Sequence, residues 1–304
     1  GIAAGYRIDK GDDSTFLGWY AGYNATGSQN TFVGSEAGKG GTTTAPYSSG
    51  TVNVAVGYQA LTAFTTAFHS VAIGHSAMKD NTQGNYNTAV GNNALRENTT
   101  GGANTALGYA AGFSLNGGNY NVLVGNGAGY SLAGASNNIL IGDEAGTNIN
   151  NANANGTVAV GHEALKALTS GPANTAIGHQ AGLAMTTNSS NTIIGYGAFR
   201  AADAGEDNNV VIGLDAGAAI NHANADGNVL IGYQAGYGGA NSLRHSVAIG
   251  SGALDATAAN ALTGIVAIGY DALTAMTSGT ENTAVGYQAG LSLTTGTKNT
   301  FLGY

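Results

Sequence analysis

The apolar positions of the chain recur around a short motif, whose clearest copy is Asn-Thr-Ala-Val-Gly-Tyr-Gln-Ala-Gly at residues 282–290. Seventeen copies align on the first glycine of this motif, here termed the anchor glycine. The anchors are Gly18, Gly34, Gly57, Gly74, Gly91, Gly108, Gly125, Gly142, Gly161, Gly178, Gly195, Gly213, Gly232, Gly250, Gly269, Gly286 and Gly303. Between Gly57 and Gly142 every step is 17 residues. So short a period indicates a solenoid with one coil per repeat, because paired helices and propeller blades need longer repeats.

Each anchor is preceded by three residues with the pattern of a strand. Three residues before the anchor stands Val, Thr or Ile, and one residue before it stands Val, Ile or Leu. These two positions share one strand face, and their mostly β-branched side chains suit a pleated sheet. The residue between them points to the other face and is apolar in all seventeen copies. A strand that is apolar on both sides is predicted to be covered on both sides.

Three further positions describe the rest of the coil. Alanine stands three residues after the anchor in all sixteen copies that extend so far, which predicts a corner with no room for a larger side chain. Asparagine stands four residues before the anchor in twelve of seventeen copies, and stacked coils would align these amides in a hydrogen-bonded ladder. The anchor itself predicts a bend that needs positive φ or a close backbone approach.

The second apolar strand face needs a cover of its own. If the coil interior takes one face, the other forms an exposed apolar stripe, and a further copy of the same chain is the simplest cover. We therefore predict a homotrimer whose common axis is lined by the middle strand residues. These interface candidates are Phe16, Phe32, Leu123, Leu140, Ile193, Val211, Leu230 and Phe301. The alternative is a monomeric two-sheet solenoid that encloses these residues itself.

Two kinds of stretch resemble known repeats. Ser-Val-Ala-Ile-Gly, at residues 70–74 and 246–250, resembles the head repeats of trimeric autotransporter adhesins. Residues 282–290 resemble the repeats of phage tail-fibre-like and bacterial surface proteins. The resemblance implies an all-β fold, a left-handed parallel β-roll or β-solenoid of about 17–18 short coils, with three chains side by side. The chain departs from the adhesins in its longer loops and carries neither their stalk nor their membrane anchor.

Composition narrows the class of protein. The 304 residues include 51 Gly, 2 Pro and no Cys, and only 9% are charged. A net charge of −8 disfavours nucleic acid and anionic membranes as partners, and no apolar run is long enough for membrane insertion by this segment. One repeat pattern over residues 1–304, least regular at 1–50, predicts a single solenoid domain. Its uncapped ends predict a segment of a longer fibre.

The largest insertion, residues 39–51, is the predicted receptor-contact loop. Repeat proteins place such outgrowths on the surface, where binding residues concentrate. The candidate contact residues are Lys39, Thr43, Pro46 and Tyr47. The alternative is a tolerated loop without a ligand, since added loop length costs little entropy.

No residue pattern predicts a catalytic, metal or cofactor site. His162 and His179 share the position directly after the anchor in adjacent coils, where Tyr is commonest, which favours packing or surface exposure over a metal site. The acidic pairs at residues 143–144 and 206–207 are interpreted as solvated loops rather than calcium sites. A row of tyrosines after anchors could stack sugar rings or pack between coils. These are Tyr58, Tyr109, Tyr196, Tyr233, Tyr270, Tyr287 and Tyr304.

These features predict a structural or adhesive extracellular fibre, on a bacterial surface or a virion tail, that attaches to a surface receptor or glycan. The protein is predicted not to be an enzyme, and its partners are predicted to be identical chains and a receptor or carbohydrate. One alternative is a purely structural shaft with no ligand of its own. Another is an ice-binding solenoid, which needs an exposed threonine array. Against it, Thr88, Thr105, Thr175 and Thr192 share their position with Val and Ile and are expected to face inward.

Overall fold

The computed structural model describes residues 1–8, 13–42, 44, 47–238, 242–256 and 261–304. Over these residues every regular element is a β-strand, and the strands pair in parallel, which confirms the all-β fold and the parallel β-solenoid. The chain divides into two compact units, Gly1–Asn155 and Gly156–Tyr304, here termed unit 1 and unit 2. The single domain over residues 1–304 stays a prediction.

Unit 1 contributes one three-residue strand per coil. Each strand pairs with the next along the chain, and equal motif positions lie opposite each other, as Ala106 does opposite Leu123. In the described part of this unit the strands are β1 (Thr15–Leu17), β2 (Thr31–Val33), β3 (Val54–Val56), β4 (Val71–Ile73), β5 (Thr88–Val90), β6 (Thr105–Leu107), β7 (Val122–Val124) and β8 (Ile139–Ile141). Strands of neighbouring coils are therefore paired so that residues at the same position of the sequence repeat lie side by side.

Unit 2 repeats this arrangement and adds a second sheet. In chain order its described strands are β9 (Val158–Val160), β10 (Thr175–Ile177), β11 (Thr192–Ile194), β12 (Val210–Ile212), β13 (Val229–Ile231), β14 (Leu243–Arg244), β15 (Val247–Ile249), β16 (Leu262–Thr263), β17 (Val266–Ile268), β18 (Gly279–Thr280), β19 (Thr283–Val285) and β20 (Thr300–Leu302). The short strands β14, β16 and β18 form a separate parallel sheet. The others continue the pattern of one strand per coil.

The anchor glycines end the strands for both of the predicted reasons. All seventeen have φ between 115° and 144°, a region that L-residues rarely adopt. In addition, a Cβ on Gly125 would overlap the carbonyl oxygen of Gly142 in the next coil. The backbones of successive anchors thus approach too closely for any side chain.

Besides large residues four positions after the anchor, such as Leu61, Leu95 and Leu165, three columns of side chains fill the coil interior. One column is the predicted alanine corner, which is buried in all sixteen copies. The second is the middle strand residue, and the third lies seven residues after the anchor, where Phe64, Leu115 and Leu132 are fully buried. A narrow interior of this kind tolerates little change in volume.

The middle strand residues lie inside the coil and not on an axis between chains. The side chains of Phe32, Leu123, Leu140, Ile193, Val211 and Leu230 have no exposed surface within the single chain. For these six the predicted contact with another copy is wrong, because a side chain that its own chain encloses offers no surface to a partner. Phe16 and Phe301 are half-buried, and Phe16 stacks on Phe32 at 5.2 Å between ring centroids.

The asparagine ladder is confirmed. In unit 1, the Asn121 backbone N–H and Nδ2 both donate to Asn104 Oδ1, at 3.0 Å each. Asn138 donates to Asn121 Oδ1 in the same way, at 3.0 and 3.1 Å. Asn121 Nδ2 also donates to the loop carbonyl of Ala135 at 2.9 Å. Buried amides therefore join one coil to the next at the entrance of every strand that carries them.

Candidate functional site

The exposed surface of the sheet is the main candidate site. It consists of the first and third residues of the three-residue strands and is here termed the strand face. None of these positions is buried in the described strands β1–β13, β15, β17, β19 and β20. Leu107 is 49% exposed and Ile139 is 41% exposed, values unusual for aliphatic residues of a sheet. The strand face carries no charged residue at any copy, so apolar contact is its main means of recognition.

Threonines on this face point outward, contrary to expectation. Thr88 and Thr105 are exposed, and Thr175 and Thr192 are half-buried at the same strand position. Sharing a position with Val and Ile did not indicate burial, because that position faces solvent in the single chain. The expectation that these threonines face inward is therefore wrong.

Rings that directly follow the anchors form stacks beside the strand face. His162 stacks on His179 at 5.1 Å between centroids, and His179 stacks on Tyr196 at 4.7 Å. Tyr270 stacks on Tyr287 at 5.2 Å. Each of these contacts occupies one face of the two rings that it joins, which supports packing between coils at these positions. Within the described residues no group of three or more His, Asp or Glu side chains could hold a metal ion.

Two described residues of the insertion after the second strand, Lys39 and Tyr47, contact other residues of their own unit. Lys39 Nζ lies 3.1 Å from Glu36 Oε1 and 5.6 Å from the Tyr20 ring centroid. Arg7 Nη1 donates to Tyr47 Oη at 2.8 Å, and its guanidinium covers the Tyr47 ring. Lys39 and Tyr47 are thus engaged within the chain. Thr43 and Pro46, the other predicted contact residues, lie outside the described residues.

Glu36 connects this insertion to the following coil. Gln59 Nε2 donates to Glu36 Oε2 at 2.7 Å. This hydrogen bond, followed by the interaction with Lys39, holds the pKa of Glu36 below its ordinary value. The carboxylate is therefore a charged structural link at neutral pH, and a receptor would have to displace these contacts to use it.

Glu206 is buried, whereas the sequence indicated a solvated loop. Its carboxyl group is fully buried, and Asn188 Nδ2 donates to its Oε2 at 2.6 Å. Oε1 has no hydrogen-bond partner among the described residues. Burial is the largest influence and raises the pKa of Glu206 above its ordinary value of 4.5. The neighbouring Asp207 accepts from the Ser189 backbone N–H at 2.6 Å and is also a structural group.

We expect the free energy of unfolding to fall as pH rises above 4.5, the ordinary pKa of Glu206. Below that pH both the folded and the unfolded state hold the proton, so burial costs nothing extra. Between 4.5 and the raised pKa the unfolded state loses its proton first, and the folded state loses stability. Glu206→Gln should remove this pH-dependent component, because a neutral amide has no proton to lose and buries no charge, so the stability of the variant relative to the parent should rise between pH 4 and pH 8.

Urea denaturation between pH 4 and pH 8 measures this effect. Glu281→Gln is the matched control in the same unit, because the Glu281 side chain is 63% exposed and lies 3.9 Å from Lys298. Its free energy of unfolding should change by less than about 0.5 kcal/mol. If the free energy of unfolding depended on pH in the same way in Glu206→Gln and in the parent, the assignment of this pH dependence to Glu206 would be wrong.

Comparison of the chain with models of known protein families gives no match, and comparison with curated proteins gives none either. The described residues include no helix that is long and apolar enough to cross a membrane. A functional proposal for this chain therefore rests on its own geometry, and above all on the strand face.

Proposed function

We propose that the chain is a structural segment of an extracellular attachment fibre, on a cell surface or virion tail, and that it associates with identical copies through the strand face. The observation that carries the proposal is the exposed, uncharged and mainly aliphatic strand face. Large exposed patches of this kind mark sites of association. The proposal assigns no catalysis and no cofactor.

An identical chain suits the strand face better than an unrelated partner. Parallel strands place equal motif positions about 4.8 Å apart along each sheet. A second copy repeats the same spacing, so rows of Val, Ile, Leu and Thr can interdigitate along the stacked coils. A charged partner would find no opposite charge on the face. A closed symmetric assembly would cover the strand face of every copy. The number of three copies comes from the resemblance to trimeric adhesin heads.

Two lysines on the strand face should prevent association. In the Leu107→Lys/Ile139→Lys variant the added charges would be buried between copies, at a cost of several kcal/mol each. We expect the solution mass to fall to that of one chain, 30.0 kDa, with an unchanged circular dichroism spectrum. Asn116→Lys/Asn150→Lys adds the same charge on exposed loops and should keep the parent mass. A strand-face variant that keeps the parent mass would exclude this face as the interface.

A second candidate function, ice binding, is favoured by the outward-facing threonines. Eight of the seventeen copies carry Thr at the first strand position, and the strands present these in register. This function requires the strand face to stay open to water. It therefore predicts a monomer that lowers the freezing point of its solution without lowering the melting point. An oligomer without such thermal hysteresis would exclude it.

A further inference from the structure

A row of side chains five residues before the anchors flanks the strand face of unit 1. In five consecutive coils it consists of His69, Tyr86, Ala103, Tyr120 and Asn137. All five have φ between 52° and 62°, so the backbone presents them in the same way. The His69 and Tyr86 rings are parallel and stack at 5.4 Å between centroids. Ala103 interrupts the row between two tyrosines.

This interruption creates an open cleft of about 210 Å³. Tyr86 and Tyr120 stand two coils apart, about 9.6 Å along the stack, because each coil adds about 4.8 Å. That separation admits one ring in the place that a side chain at residue 103 would otherwise fill. The lining residues are Asn85, Tyr86, Thr100, Gly102, Ala103, Asn119 and Tyr120.

The tyrosines are well placed to serve as walls. Tyr86 is 60% exposed and Tyr120 is 67% exposed, so both rings are accessible. Tyr86 is supported from behind by His69 and by Phe68, whose ring lies 5.2 Å away in an edge-on arrangement. A wall that is already held by its neighbours loses little conformational entropy when a ligand binds.

The other lining groups are polar and uncharged. Asn119 Oδ1 accepts from the Gly102 N–H at 2.8 Å, and Asn85 Oδ1 accepts from the Phe68 N–H at 3.0 Å. These bonds fix both amides. The Asn85 side chain and the exposed Thr100 side chain also line the cleft. The cleft therefore offers a donor and a hydroxyl beside two aromatic walls.

We propose that this cleft binds one neutral hexopyranose ring of a glycan between Tyr86 and Tyr120. Sugar rings have apolar C–H faces that suit aromatic walls and hydroxyl groups that suit amide and hydroxyl partners. A nucleotide would need a cation and an organic cation would need a carboxylate, and the lining contains neither. The assignment rests on the attachment role proposed above and specifies a ligand class for it.

Ala103→Tyr is the decisive variant. It completes the row and fills the cleft, and its fold should persist because tyrosine already occupies this backbone conformation at residues 86 and 120. Ala173→Tyr is the matched control, an exposed alanine at the same motif position in unit 2 with φ 57°. Tyr86→Ala and Tyr120→Ala each remove one wall, which should weaken binding about 10-fold because one aromatic contact with the ligand is lost.

The test is titration calorimetry with soluble neutral hexasaccharides of glucose, mannose, galactose and N-acetylglucosamine, with hexagalacturonic acid as a charged comparison. We expect the parent and Ala173→Tyr to bind at least one neutral probe and Ala103→Tyr to bind none. Binding that survives Ala103→Tyr would overturn the cleft assignment while leaving glycan attachment in place. A parent that binds no neutral probe would also overturn the cleft assignment. The proposed assembly of identical chains is tested independently, by measurement of the solution mass.

Discussion

Replacing Gly125 with alanine is expected to lower the free energy of unfolding by about 2–6 kcal/mol. Two penalties of about 1–3 kcal/mol each contribute, one for the backbone conformation and one for steric overlap. Gly125 has φ 136°, and its added Cβ would meet the carbonyl oxygen of Gly142. Because the obstacle is backbone and not a flexible side chain, the coils would have to separate locally to relieve it.

Gly127→Ala is the control for this prediction, two residues away in the same coil. Its φ is 61°, and the nearest atom to an added Cβ is 4.0 Å away. Ala110 occupies the same motif position in the preceding coil with φ 51°, so alanine is compatible with this conformation. Urea denaturation followed by circular dichroism, at one fixed protein concentration, should separate the two variants by at least about 2 kcal/mol. Equal midpoints would mean that the anchors do not limit coil stacking.

Asn121→Leu is expected to cost about 2–6 kcal/mol, although leucine has the same branching and the same number of non-hydrogen side-chain atoms. The substitution removes four side-chain hydrogen bonds. It leaves the Asn138 backbone N–H and the Ala135 carbonyl without these partners in a buried site, at about 1–3 kcal/mol each. The loss should also reduce protection of the Asn138 amide from hydrogen exchange, because the ladder bond that covers it is gone.

The matched control is Asn126→Leu, which removes an asparagine from an exposed position of the same coil. The Asn126 side chain makes one bond, from Nδ2 to Asp143 Oδ1 at 2.7 Å, at the surface. Leucine is found at this motif position in unit 2, at Leu214. The free energy of unfolding should change by less than about 0.5 kcal/mol. If both asparagine variants were equally stable, the hydrogen bonds of the ladder would contribute nothing measurable to the free energy of unfolding.

Much of the coil could be predicted from the sequence because each feature recurs at a fixed distance from the anchor. A glycine that never changes indicates a backbone requirement, and Gly125 meets it through both φ and close approach. The alanine corner and the asparagine ladder were predictable for the same reason. A position that accepts only one residue type, as the alanine corner does, or strongly prefers one, as the ladder position does, reports the space or the hydrogen bonds available there.

The assignment of inside and outside failed because both strand faces are apolar, and alternation alone does not say which face the chain encloses. A signal was present nevertheless. The first strand position carries Thr in eight of the seventeen copies, whereas the middle position carries no polar residue in any copy. Thr105 and its equivalents thus mark the open face, and Leu123 and its equivalents mark the closed one.

The remaining differences between the sequence predictions and the structure arise from local contacts. Burial of Glu206 depends on how one uneven loop packs, and an acidic pair in the sequence gives no indication of it. The contact of Tyr47 with Arg7, forty residues away, has no signal in the sequence, and the role of Tyr47 in receptor contact stays a prediction. The cleft between Tyr86 and Tyr120 depends on one alanine in a row that becomes visible only once the register between coils is known. Periodicity describes the average coil, and these features are departures from that average.

The solution mass of the parent chain, measured by multi-angle light scattering, tests the central proposal most directly. One chain has a mass of 30.0 kDa, and association of three copies through the strand face predicts a mass near three times that value. A mass of one chain over the micromolar range would contradict the proposal. The strand face would then be open to solvent, and its threonine rows would be evaluated as an ice-binding surface.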